Sequence, residues 1–306
     1  MTFQSLAHRV EIAATKGHSV SSFLKAELPC LVKDIRSDLN NETVLDLWGM
    51  SNNWDELAQA PIVAPQIVSA ICEELVGKHS PGLRDIMTED AVHAGIMHAY
   101  CYLFSRLETE FGFKGDRWLK GEIARVLSLP ESVLMPRPKS GTLLTNATYL
   151  FGRIAFRGDV RRTTALRQIR DRVPREIREF PYRRLRWTRL VETVRVGRSG
   201  KIIFRSDLIP PLDESAGASW LLIYSLNSNS GADRNGLPVL STAFPLEAIN
   251  AHSMLDPKQF GRDREVRPRY NVWVAEFPRG AKPPKSMVHG RREAWSFSAA
   301  GRTRLH

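Results

Sequence analysis

A chain of 306 residues with 44 basic and 33 acidic side chains carries a net charge of +11, and its 42% apolar share, with seven Trp and thirteen Phe, is ample for a packed core and argues against disorder. Three cysteines, Cys30, Cys72 and Cys101, lie far apart and form no C-x-x-C pair, which speaks against a disulfide framework or a thiolate zinc site and for reduced thiols in the cytoplasm. No run approaches the ~20 apolar residues of a membrane span, and the start Met1-Thr2-Phe3-Gln4-Ser5 lacks the basic-then-apolar pattern of a secretory signal.

The front half reads as helices. Ser5–Thr15 is a predicted helix stopped by Lys16-Gly17. A second begins after Ser21 and is interrupted at Pro29, where the ring removes a donor. Pro65-Gln66-Ile67-Val68 opens another, since proline suits a first helical turn. The strongest predicted helix runs from Glu89 to Glu110 with Thr88 as its cap. Val92, Ile96, Tyr100, Leu103 and Leu107 recur there at helical spacing, so it is expected to be central and buried. Asp116 is expected to cap a shorter helix bearing Trp118, Ile123 and Val126. Pro130, Pro136 and Pro138, with Lys139-Ser140-Gly141, mark a connection. Thr142–Phe156 is apolar enough for either a helix or a strand.

From Gly158 to Arg189 the chain is arginine-rich, with Pro174 and Pro181 as breaks. Residues 1–152 hold 14 basic and 18 acidic side chains, residues 153–205 hold 17 and 5, and residues 206–306 hold 13 and 10. One segment therefore carries the whole excess of positive charge, and its field attracts polyanions.

After that segment the period changes to that of strands. Thr188–Val196, Lys201–Ile209, Trp220–Leu226, Leu237–Phe244 and Tyr270–Phe277 are predicted strands, with a tight turn at Gly197-Arg198-Ser199-Gly200 and a polar loop over 227–236. Pro245–Leu255 reads as a short helix. Short links between the first four strands favour an antiparallel meander. The fold class is α+β, a helical N-terminal half followed by a mainly antiparallel sheet. The expected organisation is a helical domain over 1–140, a connecting and arginine-rich segment over 141–187, a sheet domain over 188–280 and a loose basic tail over 281–306.

Arg183, Arg184, Arg186 and Arg189 surround Tyr182 and Trp187. Guanidinium groups bind phosphate through a two-pronged fork, and rings offer faces on which bases stack, so this stretch is the candidate contact for RNA or single-stranded DNA. The competing expectation is a solvated helix paired with the acidic front half.

The strand Gly236-Leu237-Pro238-Val239-Leu240-Ser241-Thr242-Ala243-Phe244-Pro245 resembles the closing strand of bacterial EndoU-type and colicin/RelE-type ribonuclease toxin domains, in which a small hydroxyl residue precedes an aromatic and a proline. The resemblance implies a compact antiparallel sheet, over 188–277, that cuts RNA without a metal, and by position it carries over Thr242 alone. Against it stands an ordinary core strand in which Thr242 shares a face with Leu240 and Phe244. Metal-independent cleavage needs an acid, a base and a cation at the phosphate. His252 supplies an acid or base, Arg205 a cation, and Thr242 or Tyr224 an orienting hydroxyl.

Elsewhere, Glu89, Asp90, His93 and His98 suggest metal ligands only until their helical angles are considered. Histidines five apart diverge around a helix, and Asp90 at a helix start is explained by the dipole. No metal or cofactor is signalled, and the glycine-rich, zinc-protease and hydrolase-elbow motifs are absent. Two further functions compete with a ribonuclease. One is a hydrolase or lyase that binds an anionic small molecule between the two halves; the other is a non-catalytic protein-interaction module.

Overall fold

Local signals set most helix boundaries in the computed structural model, which describes residues 3–55, 60–71, 75, 91–109, 112–196, 200–212, 219–228, 237–255, 274–275 and 295–305. Helix α1 (Phe3–Thr15) stops at Gly17, whose φ of 72° is a left-handed conformation natural to glycine. Ser19 caps α2 (Val20–Glu27) by accepting from the Ser22 amide. Pro29 then opens a third helix, α3 (Pro29–Leu39), from its first turn, where the missing N–H costs nothing. Helix α4 (Glu42–Leu45) is capped by Asn41, and α5 (Pro65–Ser69) starts at its proline.

The long helix expected over Glu89–Glu110 is a broken path instead. Ala91–His93 forms a short strand beside Met50–Asn52, α6 covers Ala94–Ala99, and Cys101–Phe104 is a single tighter turn. Thr88 lies outside the described residues, and His93 caps α6 with Nδ1 accepting from the Ile96 amide. The segment is as buried as expected, with every described side chain from Val92 to Ser105 in the interior. Two helices, α7 (Asp116–Leu119) and α8 (Glu122–Val126), replace the shorter helix expected there, because Gly121 turns left-handed between them. Asp116 makes no side-chain cap; it pairs with Lys120 at 2.7 Å.

The undecided stretch is helical. In α9 (Leu143–Ala155), Thr142 caps by accepting from the Thr145 amide at 3.1 Å. Helices α10 (Val160–Gln168) and α11 (Arg175–Arg178), with tight turns at Arg170–Arg172 and Tyr182–Arg184, make up the arginine-rich segment.

Five antiparallel strands build the main sheet: β1 (Trp187–Val196), β2 (Gly200–Ile209), β3 (Trp220–Ser228), β4 (Val239–Leu246) and β5 (Trp295–Leu305), in the order β4-β3-β2-β1-β5. The first four form the expected meander. The tail expected to be loose supplies the fifth strand, paired with β1 from Trp295 against Val196 to Leu305 against Trp187. The strand expected over Tyr270–Phe277 is described at Val274–Ala275 alone, where it pairs with Met50–Ser51 and not with the main sheet. The turn at 197–199 and the loop at 229–236 lie outside the described residues. The outer edge of β4 is covered by the chain at 47–49, where Leu240 donates to Leu47 O at 2.7 Å and accepts from the Gly49 amide at 2.8 Å.

Among the described residues, each sheet face packs into a hydrophobic cluster. One face adds Ile209, Leu221, Ile223 and Ala243 to a large core that runs from Leu6 through the helices. The other face packs Leu190, Leu208, Leu222, Tyr224, Phe244 and Leu246 against Ala251 of α12 (Ala248–Leu255). A β-bulge at Ser241 shifts the register between Leu240 and Thr242. Leu240 consequently joins the large core while Phe244 joins the smaller cluster, so Thr242 shares a face with Phe244 and not, as expected, with Leu240. Among the described residues no helix is long and apolar enough to cross a membrane.

Candidate nucleic-acid interface

Alternation governs the stretch that carries the candidate arginines. Tyr182, Leu185 and Trp187 are buried, while Arg183, Arg184 and Arg186 between them are exposed. The Tyr182 hydroxyl donates to Ile177 O at 2.8 Å, and its ring meets Phe180 edge-on. The rings anchor the segment in the core and hold the guanidinium groups out in water. They are therefore not the open stacking platforms that the sequence suggested for Trp187. Arg157 lies 5.0 Å from the Trp187 ring and covers it further.

The basic residues divide into two sets. In the inward set, Arg162 donates from Nε to Pro238 O at 2.7 Å and from Nη1 to Asp46 O at 2.8 Å, tying α10 to the entry of β4. Arg153 covers Tyr182 at 5.0 Å. Arg189, a candidate contact for nucleic acid, grips Asp207 through both prongs, Nε to Oδ1 at 2.7 Å and Nη2 to Oδ2 at 3.0 Å. Its Nη2 also donates to Ala155 O at 2.7 Å, at the C-terminal end of α9, where a cation is favoured. Arg189 is thus a structural link between sheet and helix. Burial pushes the Asp207 carboxyl up, and the Arg189 guanidinium opposes that shift.

The outward set is larger. Arg157, Arg161, Arg167, Arg170, Arg172, Arg183, Arg184 and Arg186 are all exposed, and none forms an ion pair with a carboxylate among the described residues. Arg175 and Arg178 are exposed as well but pair with Glu179 and Asp171. The acidic front half does not neutralise this segment among the described residues. The carboxylates that pair with it are its own Asp171 and Glu179 and, from β2, Asp207.

The four residues considered for cleavage do not converge. Register places Thr242 beside Tyr224 and Tyr224 beside Ser206, a row of hydroxyls across β4, β3 and β2. Thr242 is 1% exposed and sealed in the smaller cluster, as is the Tyr224 ring, 6.2 Å from Phe244. Arg205 neighbours Ser225 and so points from the opposite face of the sheet. There burial and the nearby Arg189 charge lower its affinity for a proton. His252 is exposed on α12 with its ring edge-on to Trp220 at 5.6 Å.

Sequence reasoning missed Asp38, whose partners are distant in the chain, and did not foresee the hydrogen bonds that occupy His93 and His98. Asp38, 1% exposed, accepts from Thr142 Oγ1 at 2.6 Å, from Thr145 Oγ1 at 2.8 Å and from the Tyr100 hydroxyl. Burial pushes its carboxyl up to about 6 in spite of those donors. His93 donates from Nε2 to Leu45 O at 3.0 Å while Nδ1 caps α6, and burial lowers it to about 4. His98 lies 2.6 Å from Ala94 O through Nδ1, which therefore carries the proton, and Nε2 accepts from the Tyr102 hydroxyl. Burial, then the Arg117 charge, hold His98 well below its ordinary range. Both histidines thus spend both ring nitrogens inside the protein; Glu89 and Asp90 lie outside the described residues.

The fold and surface describe an α+β protein with a set of exposed arginines between Arg157 and Arg186. No protein-family model matches the chain, and no curated protein or solved structure is detectably similar to it.

Proposed function

We propose that the protein binds RNA through the exposed arginines between Arg157 and Arg186. The observation that carries this reading is that eight guanidinium groups in this segment face water without a carboxylate partner among the described residues. Sixteen of the seventeen basic side chains over 153–205 are arginine, the side chain whose fork fits a phosphate. Tyr182 and Trp187 are committed to the core. Binding therefore rests on the backbone phosphates and reads little of the base sequence. The reading is binding alone, since cleavage needs an acid, a base and a cation at one phosphate, and the candidates for those roles occupy two sheet faces and a separate helix.

The test is binding of short single-stranded homopolymer RNAs at low salt, followed by fluorescence anisotropy. Uridine and adenosine oligomers are expected to bind within a few-fold of each other. Replacing Arg183, Arg184 and Arg186 together by Gln is expected to weaken both at least tenfold. No binding at low salt, or an unchanged affinity in the triple variant, would remove the proposal.

A further inference from the structure

Arg117, on α7, carries a buried charge with which no carboxylate among the described residues forms an ion pair. Its side chain is 4% exposed, and its Nε–H has no acceptor among them. The guanidinium lies over two rings, 4.7 Å from the Phe244 centroid and 5.5 Å from that of Tyr102. Phe244 belongs to the cluster under α12 and Tyr102 to the large core, so the charge sits at the seam where the helices meet the edge strand β4. A second cation, Lys114, lies over the same Tyr102 ring at 5.1 Å. Burial lowers Arg117 to about 10, which leaves it protonated at neutral pH. Glu122 is close enough to favour that charge yet forms no ion pair with it. Two residues before Phe244, on the same face of β4, the Thr242 hydroxyl is likewise buried without a partner among the described residues. Ring faces attract a guanidinium but leave the in-plane N–H fork unfilled, and the fork is the part that fits an oxyanion.

We propose that Arg117 anchors an internal binding site for a small oxyanion, a carboxylate or a phosphate group, at the seam between the helices and β4, with the Thr242 hydroxyl as a neighbouring donor. The site is separate from the arginine surface and does not depend on RNA binding. Arg117 was outside the sequence-based candidates because a single arginine beside a tryptophan gives no pattern.

Thermal unfolding at constant ionic strength tests it, with chloride replaced in turn by inorganic phosphate, methyl phosphate and acetate. The wild-type protein is expected to gain several degrees, saturably, with at least one of them. A gain with both phosphates assigns a phosphate group to the site; a gain with acetate alone assigns a carboxylate. Arg117→Met removes the gain. Arg117→Lys, which keeps charge and bulk but not the fork, raises the midpoint concentration at least tenfold. The Gln variant of Arg183, Arg184 and Arg186 keeps the full gain. Absence of any gain in the wild-type protein, an equal gain in Arg117→Met and Arg117→Lys, or loss of the gain in the surface variant would overturn the proposal.

Discussion

Arg184 and Arg189 carry the same guanidinium to opposite ends. Arg189→Met strands the Asp207 carboxylate in the interior, and a buried ion pair that loses one partner costs about 3–5 kcal/mol. Arg184→Met removes an exposed charge and is expected to leave the denaturation midpoint unchanged while weakening RNA binding. Urea titration of the two variants separates the roles; equal destabilisation would contradict the assignment. The alternation of rings and arginines over 182–187 was legible in the sequence. The partner of Arg189 was not, because Asp207 lies on the next strand and the pairing depends on register.

Asp38 gives a prediction with a definite sign. Its folded-state value, about 6, lies above the ordinary carboxyl value of 3.8, so the folded state favours the protonated form. Its contribution is present in full below pH 3.8 and is lost as pH rises through about 6. The difference amounts to about 3 kcal/mol at most. Asp38→Asn cannot titrate. The stability of wild type relative to Asp38→Asn is expected to fall between pH 4 and pH 7, as read from denaturant midpoints; a flat difference would mean that the Tyr100, Thr142 and Thr145 hydroxyls hold the carboxylate ionised.

At the scale of elements, legibility followed the strength of local signals. Thr142–Phe156 was ambiguous because α9 is buried on nearly every side, with Arg153 alone outside its buried set, so its polar residues, Thr145, Asn146 and Thr148, mark no solvent face from which a period could be read. Its start is set by Gly141, which the sequence marked only as the end of a connection, and by the Thr142 cap. Gly141 has a φ of 71°, and a Cβ there would meet the Asn146 side chain and lie 2.8 Å from the Arg172 carbonyl oxygen. Gly141→Ala is therefore expected to cost about 2 kcal/mol or more in a thermal or denaturant unfolding experiment. A neutral substitution would mean that the loop before α9 moves freely. The segment after Glu89 misled for the opposite reason. Its apolar spacing is helical, yet backbone pairing with Met50–Asn52 holds Ala91–His93 extended, and a histidine takes the capping role. The bulge at Ser241 had no sequence signal, and it decides which core Thr242 enters.

For the whole molecule, the charge map drawn from the sequence translates into a division of labour. Part of the arginine excess stitches the helices to the sheet through Arg162 and Arg189, and the larger part faces water. The α+β class and the meander were legible because period and turn residues change at the arginine segment. The fifth strand was not, since Trp295–Leu305 follows a stretch dense in proline and arginine and pairs with a strand a hundred residues earlier.

Salt dependence is the sharpest test of RNA binding through these arginines. The logarithm of the association constant is expected to fall linearly with the logarithm of salt, and the slope should flatten by about 2 when Arg183, Arg184 and Arg186 become Gln, at ~0.7 per lost phosphate contact on a single strand. An identical slope in the two proteins would contradict the account.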